Sequence, residues 1–461
     1  MSNFVGYGAD QHPLAGQLGT MAFQDHMSPT VGSTLNQATD TTNVRPCLNL
    51  DFANSQSVDP RIINTRSTTA TFVGANGLIQ TSTYNNTRID FDPTTLACKG
   101  VLIEEQRTNL VNYSQSTSGW SSGGGNTCAM TVDTGILAPD GTATALKITA
   151  SATSSAQCYM NNSSATYVAN NSYIFSAFVK QGTSRYVGIN GGYNGTYLNT
   201  EAAVMYDFAT NTFPLVYSSV TSYGSQIFPG GWVRIWIKYT PTGALTFDLR
   251  LMLANNPSLY SQTAGDYAWV WGMQVEQAGA VSSYIPTNGS STTRNSDYCY
   301  MLLTSVPNYN PYQATVTTNY VDYFNGGSIA TLCSLSTNLA GNGTFNEIGI
   351  RYSNASSSNF YIYSTATTPN YLGSFNWSSN PVKVALAYNS NDYALAGDGQ
   401  LIKQQNYGVV PNLNSTGAGL NYLIIGNDWP TGNGYYLNGH LKKLTIYPVR
   451  LSNAELIEIT K

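Results

Sequence analysis

From Cys47 onward the chain is a succession of short runs in which apolar and polar residues alternate, each closed by Gly, Asn, Asp, Ser or Pro. A period of two sends successive side chains to opposite faces of a strand, so one face of each run is suited to burial. Helical spacing is nearly absent, and many short strands separated by turn residues are the pattern of sandwiches and barrels. The chain is therefore predicted to be all-β, an N-terminal attachment arm followed by tandem jelly-roll-like β-sandwiches.

Residues 1–45 lack this alternation and run into a Ser/Thr/Asn-rich stretch that reads as a linker. Within them Leu18, Met21 and Phe23 stand among small and polar residues, enough to dock on a partner and too few for a core. A small β module follows over 46–109, with Asn76-Gly77 as a hairpin turn. A larger sandwich is predicted over 110–300 and another over 301–461. The last closes on a short helix that Ser452 and Glu455 are spaced to cap. A chain of 461 residues exceeds what one core usually supports, in keeping with several units.

Composition enters as a test of whether such strands can fold. Only 10% of residues are charged, against about 25% in average soluble proteins. Yet 33 Tyr, 15 Phe and 7 Trp supply enough large apolar surface for real cores. The 20 basic and 24 acidic residues give a net charge of −4 without basic runs, which speaks against nucleic acid as a partner. No apolar stretch approaches the ~18 residues of a membrane span, and no secretory leader opens the chain, so neither insertion nor export is expected. The six cysteines lie far apart and read as mostly reduced, buried small hydrophobes. A surface-type composition without a leader suits a virion protein assembled in a host cytoplasm.

The order of several motifs carries a resemblance. The run LDFANSQSVDPRIINTRSTTATFVGANGLIQTS, then RIDFDPTTLACKGVLIEEQRTNLVNYSQ, resembles the opening region of a family of phage structural and tail proteins. Matching segments are 59–61, 65–73, the Asp92-Pro93 pair and 99–110. Trp120, 139–148, GMQVEQA, SYIPT and Arg294 resemble the carbohydrate-binding-module-like sandwich that follows in that family. The segments 382–400 and 436–456 are similar to its concanavalin-A/laminin-G-like lectin domain. The resemblance spans 46–461 and implies a bacteriophage fibre or spike subunit that displays lectin-like modules to host-surface glycans. Its arm would join a tail adaptor, nozzle or capsid protein, and closed symmetry favours a homotrimer. A purely structural head-fibre, collar or capsid-decoration protein is the alternative, and a polysaccharide depolymerase a further one.

No cofactor, metal or catalytic set is predicted, and the chain is expected not to be an enzyme. His12 and His26 fall in the arm, His440 reads as a turn residue, and no nucleophile elbow accompanies them. Asp90, Asp92, Glu104 and Glu105 form the densest acidic group, with Arg107 placed to pair one of them. Asp392, Asp398 and Asp428 are isolated among Gly and Asn and read as turn formers. Sugar recognition asks for aromatic faces ringed by hydrogen-bonding groups. Asn427, Asp428, Trp429, Asn433, Tyr435 and Tyr436 make one such cluster, and Tyr193 and Tyr197 belong to another. Trp232, Trp236, Trp269 and Trp271 lie on alternating strands, where a core role is expected.

Overall fold

The structure, a computed structural model, describes residues 44–123, 128–153, 157–162, 166–191, 202–243, 245–246, 249–257, 261–323, 329–337, 339, 347–353, 359–361, 382–405, 420–428 and 435–461. The arm residues Leu18, Met21 and Phe23, and the loop residues Tyr193, Tyr197, Trp429 and Asn433, lie outside them.

The protein is all-β, built from two sandwiches. In the central one, a sheet of six strands runs in the order Val220–Phe228, Trp232–Tyr239, Tyr173–Gln181, Tyr267–Gln277, Leu146–Ala150, Cys128–Val132. It faces a second sheet ordered Thr212–Val216, Ala202–Asp207, Tyr186–Gly191, Leu249–Ala254, Cys158–Asn162, Ser121–Gly123. The alternation in the sequence explains the layer between them: Val233, Ile235 and Ile237 point inward beside Phe175, Ala177 and Val179, and meet Val187, Ile189, Leu251 and Leu253 from the facing sheet.

The other sandwich uses both ends of the described chain, which corrects the expectation of a separate module over 46–109. Leu48–Asp51 and Cys98–Ile103 both pair with Gly439–Tyr447, Leu48 opposite Ile446 and Val101 opposite Leu441. Ile63–Asn64 likewise joins the opposite sheet against Cys299–Leu302. The physical reason is burial. A few short strands cannot cover their own apolar face, and here Leu48, Leu50, Val101 and Ile103 share one core with Met301, Leu335, Leu423 and Leu444. The central sandwich is thus inserted within the other. The chain leaves through Arg107–Asn109 and returns through Thr292–Arg294, and these two segments pair antiparallel as a two-stranded neck.

The Asn76-Gly77 hairpin forms as expected: Ala70–Val73 pairs with Ile79–Ser82, and Gly77 adopts φ +76° where a Cβ would stand 2.7 Å from the Pro93 carbonyl. The C-terminal helix Asn453–Ile459 carries the anticipated capping box of Ser452 and Glu455. Two cysteines depart from the reduced state expected of them. Cys128 and Cys158 form a disulfide that ties one sheet of the central sandwich to the other, while Cys47, Cys98, Cys299 and Cys333 are free.

Candidate functional site between the two sandwiches

Trp232, Arg234 and Trp236 alternate with the core residues of their strand, so all three lie on the outer face of the central sandwich. That face is not simply solvated. The hairpin Ala70–Val73/Ile79–Ser82 packs there, and Ile79 joins Phe178, Phe228, Trp232, Trp271 and Tyr284 in an apolar cluster between the sandwiches. Beside this cluster opens a cleft of about 300 Å³, lined by Phe72, Lys99 and Glu104 from one sandwich and Gln226, Arg234 and Trp236 from the other. Its size is at the small end of ligand sites, about 300–1,000 Å³.

Trp236 corrects the expectation of a core tryptophan. It is partly exposed in the cleft, as Trp269 is elsewhere on the same sheet, whereas Trp232 and Trp271 are buried. Its cross-strand neighbour is Gly224, and a Cβ there would stand 2.3 Å from the six-membered ring of the indole. The ring therefore lies across the glycine, against the sheet, and leaves an aromatic surface on the cleft wall. Gln226, two residues along that strand and on the same face, places a hydrogen-bonding group next to it.

Behind the cleft runs a buried charge network that fastens the neck. Asp297 accepts from Arg66 at 2.5 Å and also from Arg88. Glu104 pairs with Arg88 at 2.8 Å and with Arg294 at 3.6 Å, and accepts from the backbone N–H and hydroxyl of Ser283, each at 2.7 Å. Burial alone would raise the Glu104 carboxyl; Arg294, Arg88 and Ser283 together outweigh it and hold the group well below the usual carboxylate range. Glu105, on the other side of the strand end, pairs with Arg107 as the spacing suggested. His440 is not in a turn: it lies buried within Gly439–Tyr447, its Nε2 2.8 Å from Asp90, whose other oxygen accepts from the Val73 N–H at 2.6 Å. Asp92 caps a turn by accepting from Thr94 and Thr95. Among the described residues no group of His, Cys, Asp and Glu is arranged to hold a metal ion, and no helix is long and apolar enough to cross a membrane.

The loop cluster picked out in the sequence occupies a different place. Asn427 and Asp428 are buried, and Asp428 pairs with Arg351, whose guanidinium lies 5.0 Å from the Tyr435 ring centre. Tyr435 donates its backbone N–H to Asp428, and buried Tyr436 donates its hydroxyl to Ser296 beside the neck. Asp428 is therefore an ion-pair partner rather than a plain turn former, while Asp398 does sit in a turn at φ +46°. What the sequence reading missed is the cleft. Its one local signal was Arg234 between Trp232 and Trp236, a charged residue at an outward position flanked by aromatics.

Neither a protein family nor a curated protein matches the chain. Among solved structures it is similar to the CBM40 of Ruminococcus gnavus IT-sialidase bound to alpha2,3 sialyllactose, at 19% identity over 33% of this chain and 84% of that one, TM-score 0.28. It is also similar to Trypanosoma rangeli sialidase in complex with sialic acid, at 10% identity over 68% of this chain and 60% of that one, TM-score 0.28. A leech intramolecular trans-sialidase matches over 33% of this chain and 23% of its own length, at 16% identity and TM-score 0.26. The expectation that the chain is not an enzyme meets a contrary finding in the solved structures similar to it over 68% of its length, which are sialidases. Likenesses this distant carry no activity or ligand onto the chain.

Proposed function

We propose that this chain is a glycan-recognition subunit that holds its ligand in the cleft between the two sandwiches, and that it serves a phage particle as a fibre or spike component. The observation that carries the binding reading is Trp236 laid across Gly224 in a cleft that also offers Gln226 and Arg234. An aromatic face takes the apolar side of a sugar ring, and polar groups beside it fix the hydroxyls. The phage setting is supported by the ordered motifs over 50–148, 272–294, 382–400 and 436–456. In it, the arm residues Leu18, Met21 and Phe23 attach the subunit, and a cyclic trimer multiplies modest per-site affinity.

Trp236→Ala is expected to weaken glycan binding at least ~10-fold, about 1.4 kcal/mol, with the fold retained, since the ring is partly exposed. Gly224→Val should give a similar loss by pushing the indole off the sheet. A glycan array followed by calorimetry on the hits, with thermal melts alongside, makes the measurement. Undiminished binding in both variants, or binding lost only in Trp429→Ala or Tyr193→Ala, would rule the cleft out. The attachment reading has its own check: removal of residues 1–40 should leave a folded protein that no longer joins particles, and normal incorporation would sink it.

A further inference from the structure

We infer that the cleft selects carboxylate-bearing sugars, with Arg234 as the group that receives the carboxylate. This rests on the reading of the cleft as a glycan site and narrows its ligand class. Arg234 is 7% exposed, lines the cleft, and stands 5.3 Å from the Phe178 ring centre. Its Nη1 donates to the Ser282 carbonyl at 2.8 Å and its Nη2 to the Ser176 hydroxyl at 3.1 Å. Both acceptors are neutral, its Nε has no hydrogen-bond partner, and no carboxylate of the described residues stands within ion-pairing distance.

The contrast with its neighbours is what gives this weight. Arg66, Arg88 and Arg294 are equally buried, and each has a carboxylate within 3.6 Å or less. The acids nearest to Arg234 are already engaged: Glu276 accepts from Gln274 and from the N–H and hydroxyl of Ser282, and Glu104 is held by Arg88, Arg294 and Ser283. A buried cation with no carboxylate in direct contact is costly even with Glu276 nearby, and a ligand carboxylate would relieve that cost. Burial lowers the Arg234 pKa to about 10, with Glu276 and Glu104 opposing the fall, so the group stays charged at neutral pH. Asp90 and Glu104 also line the cleft, but Asp90 is engaged by His440 and the Val73 N–H, and Lys99 adds a second cation. A guanidinium fork matches a carboxylate and makes only single, weaker bonds to sugar hydroxyls.

The test uses the full chain with 15N-labelled tryptophan, titrated with glucuronate, N-acetylneuraminate, glucose and the methyl ester of glucuronate while the Trp236 indole N–H is followed. The acids are expected to bind at least ~10-fold more tightly than glucose and the ester, with Arg234→Gln erasing the difference and Arg234→Lys restoring part of it. Thermal melts report whether the variants fold, and the acid-against-ester comparison needs no variant. Equal binding of acid and ester with Trp236 responding would overturn the inference and leave the glycan reading standing. No Trp236 response to these sugars or to any array hit would overturn both.

Discussion

Asp297→Asn is expected to destabilise the protein by about 3–5 kcal/mol, the range for breaking a buried ion pair from one side. Asp297 is 1% exposed and holds two guanidiniums, those of Arg66 and Arg88, that are themselves buried. It also accepts from the Glu104 backbone N–H at 3.0 Å and donates its own to the Glu104 carbonyl at 2.9 Å, so it locks the two sides of the neck. An amide of the same shape keeps the volume and removes the charge, leaving three buried guanidiniums, those of Arg66, Arg88 and Arg294, with one carboxylate, Glu104, which pairs with only the last two. Urea denaturation measures the effect, with Asp59→Asn as the control: the Asp59–Arg61 pair at 2.6 Å is partly solvated and should be worth under ~1 kcal/mol. A loss below 1 kcal/mol for Asp297→Asn would show that the network does not hold the sandwiches. Acid should weaken the same region. The folded-state pKa of Glu104 is depressed, so its contribution is complete above the unfolded value of about 4.3 and drains away as pH falls below it.

The strand pattern was readable because a period of two needs only neighbours in sequence. The runs around 48–52, 146–150, 173–180 and 267–276 all became strands, and the Asn76-Gly77 turn and the Ser452 cap formed from local chemistry alone. Partnership was not readable, because it depends on which distant strand covers which face. Leu48–Asp51 pairs with a strand almost 400 residues away, and nothing in LNLD names that partner. The same limit hid the cleft. Outward positions such as Trp232, Phe178 and Trp271 are buried only because the 70–82 hairpin returns to cover them, and Trp236 is left partly open where that cover ends. Glu104 and Glu105 show the intermediate case: Arg107, two residues on, was a visible partner for Glu105, while Arg88 and Arg294 reach Glu104 only through the fold.

Removing the Cys128–Cys158 bridge is expected to cost about 3–4 kcal/mol, the chain-entropy value for two cysteines 30 residues apart. Cys128 opens an edge strand of one sheet and Cys158 begins a strand of the other, so the bridge ties the two layers on that side of the central sandwich. The double variant Cys128→Ala/Cys158→Ala measures the cost in urea, and Cys98→Ala, a half-buried free thiol, should change stability little. Thiol mapping tests the bridge itself. Burial pushes the Cys47 thiol up to about 11, and Cys299 and Cys333 higher still, so none of these three is reactive in the folded protein. Cys98 is the one free thiol with appreciable exposure among the described residues, and it should be the site that native alkylation labels. After denaturation without reductant, oxidised protein should show four alkylated cysteines; six would mean there is no bridge. Protein recovered from a reducing cytoplasm should carry all six thiols and gain its last few kcal/mol only on meeting an oxidising medium.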